Sequence, residues 1–231
     1  MADRPLKMVT FSYDDGVTQD QRLIELLNKY GLKATFNLNS LLCGTARVLT
    51  YDDTSVSQAR PLLSEIPRIY EGHEVAAHGL VHGTLTKMSD EDAVREIEKD
   101  RLILSDTVGY EVVGMAYPNG AVDERIAHLL RERTGIKYAR WVGSTYSFDA
   151  QEDLLWFKPT AHQGETEKLF ELAEKFIAMK PDRPQVFYIW GHAYELDFDL
   201  DRWEKLEEFM KYISGRSDIW YCTNREALLG E

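Results

Sequence analysis

Strand-like and helix-like segments alternate along almost the whole chain, joined by short connections, and this alternation constrains the fold more than anything else. Parallel neighbours need a crossover between them, so it predicts an α/β parallel sheet or barrel with helices outside. The apolar, β-prone run from Val9 climbs to Asp14-Asp15-Gly16. Leu23, Leu27 and Tyr30 then share a helical face that Gly31 stops. Lys33–Asn37 reads as the second strand, and Leu41–Arg60, which has no clear periodicity, as a long rim loop. A short helix around Leu62–Tyr70 leads to a third strand, Glu74–Ala77. Ser89 with Asp92 resembles a capping box, and Ala93, Val94, Ile97, Leu104 and Val108 form the stripe behind it.

Further strands are expected at Val112–Tyr117, Lys137–Trp141, Leu155–Pro159, Val186–Trp190 and Ile219–Cys222. Helices are expected at Asp123–Arg133, around Leu169–Phe176, and on the face of Trp203, Leu206, Met210 and Ile213. No repeat, low-complexity segment or linker interrupts the pattern, so residues 1–231 read as a single domain.

A formal net charge of −12 disfavours nucleic acid or an anionic membrane surface as partner. Cys43 and Cys222 are too few for a disulfide framework, and neither lies in a Cys-x-x-Cys pattern. No apolar run is long enough to span a bilayer, and the N-terminus lacks the apolar stretch of a signal peptide. A cytoplasmic location is therefore expected.

Asp14 and Asp15 fall at the C-terminal end of the first strand, where α/β folds place their chemistry. Neighbouring strand residues point to opposite sides, so the two carboxylates need not share a task. His78 and His82 are four apart, and on a helical turn both project from one face. Either pair alone is a weak signal. Together they supply two imidazoles and a carboxylate, a set that suits zinc or a related divalent ion, with a second carboxylate left over as a base.

Four motifs occur in a telling order: Thr10-Phe-Ser-Tyr-Asp-Asp-Gly16, His78-Gly-Leu-Val-His82, Ala116-Tyr-Pro-Asn-Gly120 and Trp190-Gly-His192. In this the chain resembles the polysaccharide deacetylases, carbohydrate esterase family 4, over about residues 6 to 222. The resemblance implies a distorted (β/α) barrel, usually seven-stranded, and a metal-dependent hydrolase of N-acetylated sugars. Carried over, Asp14 is the catalytic base, Asp15, His78 and His82 hold one divalent ion, and His192 is the general acid. Zinc is the first choice of ion, with cobalt, manganese or nickel as alternatives. A backbone N–H of the Tyr117–Gly120 turn, that of Asn119, would face the developing oxyanion.

The chain departs from the family pattern in two places. Met115 and Ala116 stand where an arginine often orients the base, and no aspartate-tryptophan element supports the catalytic histidine; Asp149 and Asp153 are poor stand-ins. Arg140 is either a replacement for that arginine or an exposed strand-end charge. Glu195 has three readings: a bond to His192, a bond to a substrate hydroxyl, or a solvent-facing acid. His162 reads first as an idle loop residue and second as part of the cleft. Tyr117, Trp141 and Trp190 sit where they could stack on a sugar, though Trp190 fits a buried core position equally well. His73 and His128 read as surface residues.

The leading expectation is a carbohydrate N-deacetylase. The alternatives are an allantoinase-like cyclic-amide hydrolase, an O-acetyl esterase on acetylxylan, and an inactive carbohydrate-binding barrel. Retention of Asp14, both histidines and His192 counts against the last. Some cyclic-amide relatives dispense with the metal, which the intact ligand set argues against. The missing signal peptide favours a small substrate met inside the cell.

Overall fold

The computed structural model describes residues 5–231. In chain order its strands are β1 (Lys7–Asp14), β2 (Ala34–Leu38), β3 (Ala46–Tyr51), β4 (Thr54–Ala59), β5 (Glu74–Ala77), β6 (Gly114–Ala116), β7 (Tyr138–Arg140), β8 (Ala161–His162), β9 (Gln185–Gly191) and β10 (Ile219–Tyr221). The α-helices are α1 (Asp20–Lys29), α2 (Ile66–Ile69), α3 (Asp90–Val108), α4 (Glu124–Arg133), α5 (Thr166–Ala178), α6 (Leu200–Ile213) and α7 (Asn224–Leu229).

β1 is the axis of the fold. On one side β9 pairs with it in parallel from Lys7 to Tyr13. The other side is shared: β10 takes Lys7 to Val9, and β2 takes Phe11 to Asp14. Seven strands follow the order β7-β6-β5-β2-β1-β9-β8, with β10 lodged against β1, and all of these pairings are parallel. Beyond β7 the sheet edge continues to Phe157, which bridges to Arg140 and whose ring meets that of Tyr188 on β9 at 5.2 Å. The Phe157 N–H donates to Ala139 O at 3.0 Å, and its carbonyl accepts from Trp141 at 2.8 Å. The sheet is thus curled into the distorted barrel that the sequence predicts.

Strand alternation sorts β1 into two faces. Val9, Phe11 and Tyr13 join the apolar layer under the helices, where Phe11 meets Phe209 edge-on at 6.4 Å. Thr10, Ser12 and Asp14 face the barrel interior. Thr10 donates to Asn224 Oδ1 at 2.8 Å, and Ser12 Oγ accepts from Asn37 and Asn224 at 3.0 and 3.1 Å. Lower in the barrel Glu74 accepts from Thr35 at 2.6 Å, Tyr138 at 2.7 Å and the Arg225 N–H at 2.9 Å. A polar interior of this kind stands only because its groups are paired.

Several elements differ from the expectation. The rim loop Leu41–Arg60 is in large part an antiparallel hairpin, β3–β4, turning at Asp52-Asp53 with Asp52 at φ 49°. One of its faces is wet, so its run is polar, and only Val56 and Gln58 are buried. Leu155–Pro159 is no strand: a 3-10 turn at Leu154–Trp156 precedes the single bridge at Phe157. The segment from His78 to His82 is not helical; positive φ at Gly79 (79°) and His82 (60°) shapes it. His73 is not on the surface. It is buried, its Nδ1 accepts the Ala34 N–H at 3.2 Å, and burial with Lys33 nearby pulls its pKa down to about 4. α7 was not anticipated; its capping box (Thr223 with Glu226) is legible, but the helix is only 6 residues long.

Candidate active site

The mouth of the barrel is built from the ends of β1, β5, β7 and β9. Asp14, the last residue of β1, points inward and is 2% exposed. Asp15 and Gly16 follow in left-handed backbone, at φ 78° and 61°. A Cβ on Gly16 would lie 2.5 Å from Leu38 Cδ2, so only glycine fits this turn. It is this turn, rather than simple strand alternation, that carries the Asp15 carboxylate away from Asp14.

Arg140, at the end of β7, is fully buried, with Nη2 on both oxygens of Asp14. Asn37 Nδ2 adds a bond to Oδ1 at 2.9 Å. Burial by itself would push Asp14 up, but the Arg140 guanidinium, helped by His78 and His192, overrides it and holds the carboxyl at about 2. Arg140 is therefore not an exposed strand-end charge. Its Cζ lies 4.4 Å from the centroid of the Trp190 ring, so one face of that tryptophan is already covered.

Asp15 is bound by the hairpin. Gln58 Nε2 donates to Oδ2 at 2.7 Å, Arg60 Nη2 lies 3.5 Å from Oδ1, and Arg60 Nε donates to the Asp15 carbonyl at 3.0 Å. Oδ1 is buried without a hydrogen-bond partner. His78 follows β5; its N–H is shared between Leu38 O at 2.8 Å and Asp100 Oδ2 at 3.0 Å. Its Nδ1 lies 2.8 Å from Ala116 O, and a carbonyl can only accept. The proton therefore sits on Nδ1, and the buried, unpartnered Nε2 presents its lone pair. The His78 and His82 rings meet edge-on at 4.8 Å, and His82 Nε2 lies 3.7 Å from Asp15 Oδ1. Burial, and then neighbouring His78, lower the His82 pKa to about 4, which keeps its ring neutral.

One ligand atom each from Asp15, His78 and His82 lie within 4.8 Å of one another. Asp15 Oδ1 and the oriented His78 Nε2, both buried without a hydrogen bond, and the neutral His82 ring fit a divalent cation. Glu96 Oε1 steadies the loop that carries His82 by accepting from the Val81 and Gly83 N–H groups at 2.9 and 3.1 Å.

The opposite wall holds His192, Glu195 and His162. His192 Nε2 lies 3.9 Å from Asp14 Oδ2, and its Nδ1 lies 3.0 Å from Glu195 Oε1. Burial opposes the charged ring, but the bond to Glu195 and the carboxylates around it raise its pKa to about 9. His162 Nε2 lies 3.1 Å from Glu195 Oε2, which places His162 in the site rather than in an idle loop.

Tyr117 does not stack on anything in the mouth: it is 1% exposed, its OH donates to Leu155 O at 2.6 Å and its N–H to Arg140 O at 3.1 Å. Asn119 sits in the turn at φ 58°, its side chain on Thr84 at 3.1 Å. Trp141 is half-buried and donates to Gly120 O at 2.9 Å. The residues that sequence reasoning missed are Asn37, Gln58, Arg60, Glu96 and Asp100. Glu96 and Asp100 had a signal, since they share the inner face of α3 with Ala93, Ile97 and Leu104. Acids inside an apolar stripe must be holding something; burial pushes Asp100 up to about 7.

A cavity of about 690 Å³ opens beside the His192 wall, between the hairpin tip (Leu49, Tyr51), Tyr194, Phe198 and Arg202 on α6. It reaches the site through His162 and Glu195; the two aspartates, His78 and His82 do not line it.

Residues 2–139 match the model of a family described as polysaccharide deacetylase. Over 137 residues, 58% of this chain, the sequence is 28% identical to the peptidoglycan-N-acetylglucosamine deacetylase PgdA of Listeria monocytogenes serotype 1/2a (strain 10403S). The match spans 25% of that protein, so the chain spans about a quarter of the curated relatives it matches. A chitin deacetylase of Colletotrichum lindemuthianum superposes with a TM-score of 0.59 at 18% identity, covering 98% of this chain and 88% of that one. A Puue allantoinase superposes with a TM-score of 0.70 at 11% identity, covering 99% and 91%. At such identities the solved structures establish the fold alone.

Proposed function

The chain belongs to the polysaccharide deacetylase family, and from that premise we propose that it is a metal-dependent hydrolase that removes acetyl groups from an N-acetylated sugar, oligosaccharide or polysaccharide. We take residues 1–231 to act as one catalytic unit. One observation carries the reading. Asp15 Oδ1 and His78 Nε2 are buried without a hydrogen bond beside His82, and Asp14 next to them is held ionised by Arg140.

Asp15, His78 and His82 would hold the ion, zinc before cobalt, manganese or nickel. When bound, it would supply Lewis acidity toward water and the acyl oxygen. Asp14 would take the proton of the attacking water. A carboxylate held at about 2 is a weak base, which is why the water must be acidified for the step to run. His192, protonated through neutral pH, would donate from Nε2 to the departing amine. The Asn119 N–H remains the assigned oxyanion donor, since the Tyr117 N–H already serves the Arg140 carbonyl. Arg140 keeps Asp14 ionised, and the Trp190 ring packs against its guanidinium. PgdA is named for N-acetylglucosamine in peptidoglycan, and an amide of that kind is the first substrate to try. Among the described residues no helix is long and apolar enough to cross a membrane.

The test is acetate release from N-acetylglucosamine oligomers, peptidoglycan fragments and acetylxylan, with allantoin ring opening beside them, on metal-stripped and zinc-loaded protein. Zinc-dependent acetate release from an amide is expected. Turnover of allantoin alone overturns the proposal, and of acetylxylan alone converts it to an esterase.

A further inference from the structure

His162 on β8, His192 after β9 and Glu195 in the 3-10 turn Ala193–Asp197 also bring their ligand atoms within 4.8 Å of one another. Such a group is either a second cation site or a hydrogen-bonded array, and a backbone contact decides between them. The Gly164 N–H points at His162 Nδ1 at 3.1 Å and can only donate. His162 Nδ1 therefore holds a lone pair, and the ring's proton is on Nε2, the atom facing Glu195. A metal ligand would need the lone pair there. Gln163 Nε2 donates to the same oxygen, Oε2, at 3.0 Å. The other oxygen, Oε1, faces His192 Nδ1 at 3.0 Å, a contact that is favourable with the proton on Nδ1. The array is complete with no cation in it.

We propose that Glu195 and His162 are positioning residues for His192. His162, fixed as its Nε2–H tautomer, and Gln163 clamp one oxygen of Glu195, leaving the other to hold His192 Nδ1–H and aim Nε2 at the reaction centre beside Asp14. The proposal rests on the reading of His192 as general acid. It goes beyond the family resemblance, because the clamp comes from a glutamate three residues after that histidine and from a second histidine on another strand.

The groups facing His192 are Asp14 at the end of β1, Asp15 beyond it, His82 across the mouth, and Glu195 and Tyr194 on its own turn. His162 faces Glu195 and the Trp190 ring at 4.7 Å, and its N–H is bonded to Glu165. All three carboxylates near His192 favour its charged form, so a loosened Glu195 should ease its hold on the proton.

The test uses the full chain, zinc-loaded, as wild type, His162→Ala, His162→Gln and Glu195→Gln. We expect His162→Ala to lower kcat about 10-fold with KM changed by less than about twofold, and Glu195→Gln to lower kcat about 100-fold. The alkaline limb of the pH–rate profile should move down in both. His162→Gln, whose amide can still donate to Oε2, should restore most of the loss. Histidine 15N NMR should find His162 protonated on Nε2, and metal analysis one zinc per chain in all four proteins. Unchanged kcat and alkaline limb in His162→Ala overturn the proposal, as does an unprotonated His162 Nε2. A second zinc lost on His162 substitution does the same. The tautomer is read without turnover, so a protein that releases no acetate sinks the functional reading while the clamp is still judged by NMR.

Discussion

The floor of the barrel is made by strand alternation and the mouth by the turns that leave the same strands, and the two end in different states. On the floor Thr10, Thr35, Glu74, Tyr138 and Asn224 are buried and bonded to one another or to backbone. At the mouth Asp15 Oδ1 and His78 Nε2 are as deeply buried and have no hydrogen-bond partner, only charged neighbours at 3.5 Å or more. A paired polar interior costs little and specifies the fold; an unpaired one is tolerable only if something else completes it. What marks the mouth is that its unbonded atoms belong to ligand-type side chains, Asp15 and His78, brought with His82 within 4.8 Å of one another.

The largest break of that contrast is Asp14→Asn. It keeps shape but cannot accept a proton, so acetate release should fall by at least about 10³-fold while zinc stays bound. Activity assays with metal analysis on the same sample decide this; near-normal turnover would remove Asp14 from the chemistry. Next come His78→Ala and His82→Ala, each of which takes one ligand from the set. Both should lose stoichiometric zinc in equilibrium dialysis, and retention in both would show that the unpaired atoms serve some other end.

Arg140→Ala removes the charge beside Asp14 together with a buried side chain that packs on Trp190, and Arg140→Lys separates the two effects. Asp14 must be ionised to work, and the guanidinium holds it at about 2 against burial. Without it the burial effect remains, so the acid limb of kcat/KM should climb past the ordinary carboxylate value, while Arg140→Lys climbs less. Zinc content should not change. The same shift bears on stability. Asp14's contribution is fully present above its unfolded pKa of 3.8 and is lost as pH falls through about 2. In Arg140→Ala, where burial lifts Asp14 above 3.8, the sign reverses: protonating Asp14 then favours the folded state. The stability deficit against wild type should therefore be largest near neutral pH and shrink toward acid, and an unchanged pH dependence of urea unfolding would count against the ion pair. The smallest effect belongs to the floor. Tyr138→Phe leaves Glu74 Oε1 one donor short and should cost about 1–2 kcal/mol in urea unfolding with kcat unchanged. A loss of activity instead would mean that floor and mouth are coupled.

Most strands and the longer helices were legible because each carries a full period of its pattern, as α3 does with its Ser89 cap and Gly109 stop. The hairpin was not, since its solvent-facing residues dilute the alternation of Val56 and Gln58 to almost nothing. Yet a β-prone run on either side of Asp52-Asp53 is itself a hairpin signal. The site was legible at its acids and histidines, whose types announce chemistry. Its supports were harder. Asn37 and Gln58 are ordinary amides until the fold places them against Asp14 and Asp15. The expectation that Tyr117 would stack on sugar failed because a strand-end tyrosine can turn inward when a carbonyl, here that of Leu155, awaits its hydroxyl.

The shared edge of β1 has a consequence for the order of assembly. Lys7 waits for Gln185 and Ile219, and Thr10 for Asn224, all far downstream. A growing chain therefore exposes both carboxylates and both histidines of the candidate site long before the strand that carries the acids has its neighbours. Contacts this distant make folding slow, because the loop must close before any contact repays it. Until β9 and β10 emerge, β1 is an open edge able to pair with another chain, and yield should depend on protection of that edge during synthesis.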